Sequence, residues 1–163
     1  MRKLIVVASV AAGLLTGCDQ GNTTGSEKAA KALVDKSVSN MVPVQGGEFL
    51  MGDFGPLVGQ KLPFSIQQDD KNLHKVILSD FSISKYKVTN DDFNVYLKVT
   101  DKKNPPVDIL AKRHPSLLKG DYPAGVIWQQ AKDYCQWLGK KSGKKIDLPT
   151  EAQWEFAARS RGQ

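Results

Sequence analysis

Cysteine is scarce, with Cys18 and Cys135 the only two in 163 residues, too few for a disulfide-stapled scaffold. Histidine is equally scarce. His74 and His114 are forty residues apart and share no spaced His, Cys or carboxylate cluster, so neither a zinc pattern nor a histidine-based iron triad can be read from them. No glycine-rich nucleotide loop and no hydrolase nucleophile motif occurs. There is no dense basic block, and the formal charge of +6 falls to +4 without Arg2 and Lys3, so no nucleic-acid partner is expected. The mostly apolar run from Leu4 to Leu15 counts twelve residues, short of a bilayer-spanning helix. What is present, 40% apolar and 25% charged residues, is the profile of an ordinary globular domain and excludes a collagen or a wholly disordered chain.

The start of the chain has the layout of an export signal: Arg2 and Lys3, the apolar run, then small residues. Leu15-Thr16-Gly17-Cys18 resembles the bacterial lipobox, in which the leader is cut before the cysteine and the cysteine is acylated. Residues 1–17 are therefore expected to be a lipoprotein signal peptide and Cys18 the lipidation site, with an ordinary secretory leader as the alternative. Each buried acyl methylene is worth about 0.8 kcal/mol, so two or more chains anchor stably. The resemblance implies a periplasmic protein tethered to the inner or outer membrane. By the sorting rule of enterobacterial lipoproteins, Asp19 directly after the cysteine favours the inner one. Residues 18–40 are read as the lipidated cysteine and a flexible spacer, polar and rich in Gly, Ser, Thr and Lys, with a brief helical tendency around Lys28 to Val38.

Residues 41–163 carry the fold. Met41 to Gly52 suggests a short strand, a Gly-Gly turn and a second short strand. In His74 to Val88, Val76, Leu78, Phe81 and Ile83 alternate with polar neighbours, with one phase slip at Ser79 and Asp80 that points to a bulge or bend. Thr89 as cap, with Asp92 three residues on and Val88 and Phe93 at the staple positions, predicts a helix from Asn90 to about Val99. Lys102 to Tyr122, with three prolines, reads as loop. Ile127, Ala131, Tyr134 and Leu138 form the stripe of a second helix ending near Gly139 or Gly143. Thr150-Glu151-Ala152-Gln153 is a capping box that opens a third, with Trp154, Ala157 and Ala158 as its expected buried stripe.

Three stretches, taken in order, resemble the formylglycine-generating enzyme family, also called the sulfatase-modifying factor domain. They are Val42 to Gly52, Ile83 to Phe93, and the run from Pro123 through Leu148-Pro149-Thr150-Glu151-Ala152-Gln153-Trp154-Glu155-Phe156-Ala157-Ala158-Arg159. The resemblance implies an α+β fold related to C-type lectins, with short antiparallel strands and two or three packed helices. Three positions depart from the family pattern: Ile127 stands for a usual Ser, Asp147 for Arg and Gln153 for Glu. Family domains run on well past this helix, and their later part carries the cysteine pair that binds copper and most calcium ligands. Residues 41–163 are thus expected to be the N-terminal part of such a domain.

With Cys18 acylated, Cys135 alone cannot build a two-thiolate copper site, so no catalytic, metal or cofactor residue is assigned and no cofactor is expected in this chain. Cys135 reads first as a packed, inert thiol, with an intermolecular disulfide or a catalytic role as alternatives. His114 reads as a surface residue, and Asp69-Asp70 and Asp91-Asp92 as solvated turn and helix-start carboxylates. Trp128 and Trp154 are expected in the core and Trp137 off the main stripe. Lys140-Lys141 and Lys144-Lys145 form the one basic cluster, read as a solvated turn, with anionic lipid heads as the alternative contact. The functional expectation is a membrane-anchored, non-catalytic binding module with a protein partner, such as a toxin-neutralising immunity protein. The alternative is a piece of a copper- or iron-dependent oxidase of the family.

Overall fold

The computed structural model describes residues 20–60, 66, 72–104 and 109–161. The signal peptide, Cys18, Asp19 and Asp69-Asp70 lie outside them.

The expected spacer is corrected at once: Gln20–Ser39 is a helix, α1. Ala30, Leu33, Val34, Ser37 and Val38 recur at helical spacing, and Leu33 and Val34 are buried in the main core. The stripe is narrow and flanked by Lys and Ser, so composition reads as linker while the period specifies a helix. Lys36 Nζ lies 2.8 Å from Asp92 Oδ1 and ties the end of α1 to the helix that follows the strands.

Strand β1 (Met41–Val44) pairs antiparallel with β4 (Phe81–Ser84), and β2 (Gly47–Met51) pairs antiparallel with β3 (His74–Leu78). Met41 opposite Ser84, Val44 opposite Phe81, Gly47 opposite Leu78 and Met51 opposite His74 all lie on one register. The two pairs are therefore one ribbon, interrupted at Gln45-Gly46 and Ser79-Asp80 by a bend with no inserted residue. At the bend the Gly46 N–H donates to Asp80 Oδ1 at 2.8 Å. A Cβ at Gly46 would fall on the Leu78 carbonyl, so the crossing strands require glycine there. The phase slip in the sequence is this bend: Val76 and Leu78 face inward before it, Phe81 and Ile83 after it.

Helix α2 (Asn90–Val99) has the expected bounds, and Thr89 Oγ1 accepts the Asp92 N–H at 3.2 Å. The expected loop contains a short helix, α3 (Ile109–Arg113), and a 3-10 turn over Pro115–Leu118. Helix α4 (Trp128–Ser142) ends on Gly143 in the left-handed conformation. Gly139 is packed so closely against the Lys144 and Ile146 backbone that a Cβ would force the returning chain away. Helix α5 (Glu151–Ala158) opens on the expected capping box: Thr150 Oγ1 accepts the Gln153 N–H at 3.2 Å, and Gln153 Oε1 accepts the Thr150 N–H at 3.0 Å. Gln in place of Glu leaves that reciprocal pair intact.

Two apolar centres result. In the first, α1, α2 and α4 bury Leu33, Val34, Phe93, Tyr96, Leu97, Tyr134 and Leu138. In the second, α5 packs on the ribbon through Phe156, whose ring lies 5.0 Å from that of Phe49 and 6.4 Å from that of Phe81. This mixed α+β architecture agrees with the sequence expectation.

Candidate functional site

Cys135 sits half-buried on α4 against the helical core and is a free thiol. Burial pushes it from 9.0 up to about 11, with the nearby Asp147 carboxylate adding to the rise and Lys132 opposing it. At neutral pH the sulfur is protonated and poorly nucleophilic. It does not fit the paired-thiolate copper site that the family resemblance implies, and among the described residues no group of three or more His, Cys, Asp or Glu gathers to hold a calcium ion. No chemical step is derived through either metal. Its neighbour Tyr134 is pushed up to about 12, chiefly by burial, against a lowering hydrogen bond from Ser37.

The tryptophans reverse their expected roles. Trp128 is 63% exposed on the first turn of α4, with Lys132 Nζ 5.2 Å from its ring centroid, and Trp154 is 60% exposed on α5. Trp154 and Phe156 are two positions apart, about 200° around a helix, so they cannot share a buried face. The ribbon contributes Phe49 and Phe81, and Phe156, only 1% exposed, is the ring that meets them. Ala158 is exposed as well. Trp137 joins the core instead, its ring 5.3 Å from Tyr96 and 6.1 Å from Tyr134, because α2 widens the buried arc of α4.

Ile127, expected in the stripe, is 68% exposed at the start of α4. Gln130 Oε1 accepts its N–H at 3.2 Å, but isoleucine offers no side-chain oxygen for the return bond. Asp147 accepts the Leu148 N–H at 2.8 Å and lies 3.2 Å from Lys132 Nζ, and these two contacts, the first larger, hold its carboxyl below the usual range. His74 and His114 are exposed, and among the described residues neither joins a group of three or more His, Cys, Asp or Glu. Asp91 is exposed, while Asp92 is taken up by Lys36.

Two hollows flank α1. A cleft of about 730 Å³ runs along α1 from Ser26 to Ser39 beside the ends of α2 and α4, where Val99, Lys141 and Lys144 line it. A hollow of about 420 Å³ at the other end of α1 is lined in part by Ser37, Asp92, Asp121 and Tyr134. Tyr134 meets Ser37 in the last turn of α1, while Lys141 and Lys144, further along α4, share a cleft that reaches back to Ser26, so the two helices run antiparallel. In the first hollow Lys31, Lys141 and Lys144 alternate with Glu27 and Asp35 around the apolar side chains of Ala30, Val34, Val38 and Val99.

Comparison with known proteins gives a consistent picture. The serine/threonine-protein kinase pkn1 of Chlamydia pneumoniae is 30% identical over 135 residues, covering 74% of this chain and 19% of that protein. The formylglycine-generating enzyme of Streptomyces coelicolor is 29% identical over 163 residues, covering 76% of this chain and 48% of that enzyme. The inactive C-alpha-formylglycine-generating enzyme 2 of Bos taurus is 27% identical over 160 residues, covering 74% of this chain and 48% of that protein. The chain thus spans from about a fifth to about half the length of these curated relatives. The model of the sulfatase-modifying factor enzyme 1-like domain matches residues 26–163, so the match begins inside α1, whose later turns the core has already claimed. With that match covering most of its length, the chain belongs to the sulfatase-modifying factor enzyme 1-like domain family.

Proposed function

We propose that this chain is a lipoprotein anchored through acylated Cys18 on the periplasmic side of a membrane, and that its family domain serves as a binding module. Asp19 supports retention at the inner membrane. The observation that carries the binding reading is the placement of Cys135, the one cysteine outside the lipobox, as a protonated packing group in the helical core. The exposed rings of Trp128 and Trp154 supply contact surface of the kind that protein interfaces use. An anchored partner or immunity protein that blocks a toxin entering the periplasm needs such a surface and such a location, and no catalysis.

Mass spectrometry of the full chain extracted from membranes is expected to show Cys18 as the acylated first residue, and Cys18→Ser to abolish acylation and leave the leader uncut. A wild-type protein that stays soluble with its leader intact overturns this reading. The names of the formylglycine-generating relatives support a second reading, a piece of a copper- or iron-dependent oxidase. Aldehyde formed on a cysteine-containing sulfatase peptide by the copper-supplied chain would establish it.

A further inference from the structure

The lipid attachment point and the start of the fold are close in covalent terms. Gln20 is two positions after Cys18, and six more positions along α1 lead to Ser26. At 1.5 Å per helical residue and at most about 3.6 Å per extended one, Ser26 lies within about 16 Å of the Cys18 Cα. Ser26 and Glu27 line the same cleft as Lys141 and Lys144, and α4 runs antiparallel to α1. The end of α4 therefore points along α1 toward the opening turns of that helix, the side from which the chain continues back to Cys18.

That end is strongly basic. Lys140, Lys141, Lys144 and Lys145 are all exposed, and none forms an ion pair among the described residues. The negative end of the α4 dipole accounts for Lys140 and Lys141 in the last turn. It does not account for Lys144 and Lys145, which lie beyond Gly143. The opposing carboxylates on α1 are Glu27 and Asp35, and Asp35 is engaged by Lys31.

We propose that Lys140, Lys141, Lys144 and Lys145 form a docking surface for the anionic phospholipid headgroups of the membrane in which Cys18 is anchored. The proposal rests on the lipoprotein reading for its geometry. An acyl tether alone leaves the domain free to swivel, whereas a cationic patch beside the tether fixes which end faces the bilayer. The interaction is confined to about a Debye length, near 8 Å at physiological salt, so the patch acts only when the domain leans on its tether and brings the end of α4 down onto the headgroups.

The test uses the mature chain from Asp19 onward, without the leader or Cys18, so that vesicle binding is read without the acyl anchor or the apolar run Leu4 to Leu15. Vesicles of phosphatidylcholine are compared with vesicles of phosphatidylcholine and phosphatidylglycerol in equal parts. Binding is expected to the mixed vesicles only, to weaken with salt, and to fall by about fivefold for each of the four lysines replaced by glutamine. Changing Lys75, Lys85, Lys87 and Lys119 to glutamine matches the charge loss away from that cleft and is expected to preserve most of the binding. Equal binding to both vesicle types, or equal losses in the two variants, overturns the proposal. Acylation of the wild-type chain, measured separately by mass, tells the two failures apart: an acylated protein with an indifferent lysine patch sinks the docking surface alone, while an unacylated one removes the anchored geometry as well.

Discussion

Where α1, α2 and α4 meet, burial is shared among seven residues from three helices, so that no one side chain closes the core. The ribbon and α5 instead gather around a single ring, Phe156, and add polar ties at its rim. Glu155 Oε1 accepts the Gly52 N–H at 3.0 Å, Arg159 Nη1 donates to the Leu50 carbonyl at 2.8 Å and to Glu155 Oε1 at 2.6 Å, and the guanidinium lies 4.0 Å from the Phe54 ring centroid. Arg159 Nε is buried with no acceptor among the described residues, so this rim is not fully satisfied. The first region is redundant and apolar. The second depends on one ring and on hydrogen bonds that must all hold their geometry.

The largest effect that separates the two is expected from Phe156→Ala, a loss of about 3–5 kcal/mol. Hydrogen exchange should accelerate in β2 and β3 well before α2, and equal acceleration in both would mean the regions unfold as one. Leu33→Ala should cost at the lower end of about 2–5 kcal/mol, because neighbouring helices can partly close the gap. An unchanged denaturation midpoint would return α1 to the role of a linker. Thr150→Ala should cost about 1 kcal/mol by unmaking the capping box of α5. The uncapped start of α4 offers the opposite sign: Ile127→Ser supplies the missing oxygen at an exposed position and should stabilise by about 0.5–1 kcal/mol in chemical denaturation.

The smallest effect is one of pH. The fold raises the Cys135 thiol, so the native state holds that proton more tightly than the unfolded chain does. Its contribution is complete below about pH 9, declines as pH rises toward about 11 and is then gone. Melts of wild type and Cys135→Ala should differ by a constant amount at lower pH and converge across that window. Parallel curves throughout would show that the thiol is not buried.

The short-range signals in the sequence carry their structure locally. Thr89 with Asp92, Thr150 with Gln153, and the phase slip at Ser79 and Asp80 each act within a few residues, and each marks a feature that the structure contains. The errors share a cause, which is that burial is decided by partners distant in sequence. Trp154 outranks Phe156 in size, yet only Phe156 faces Phe49, more than a hundred positions earlier. Leu33 and Val34 look like isolated apolar residues in a polar segment until Phe93, Tyr96 and Leu97 are brought against them. The candidate site was legible in kind but not in place: Cys135 was read as a packed thiol, while nothing local puts the lysines at the end of α4 beside the opening turns of α1.

The unbroken register of the ribbon has a consequence for how the chain finds its alignment. Since one pairing rule spans both ladders, sliding one arm past the other by a single position would leave Phe49 and Phe81 on opposite faces, and Phe156 could meet only one of them. A zipper started from either end thus reaches the same match at the other, and the bend serves as a flexible joint through which that match is inherited.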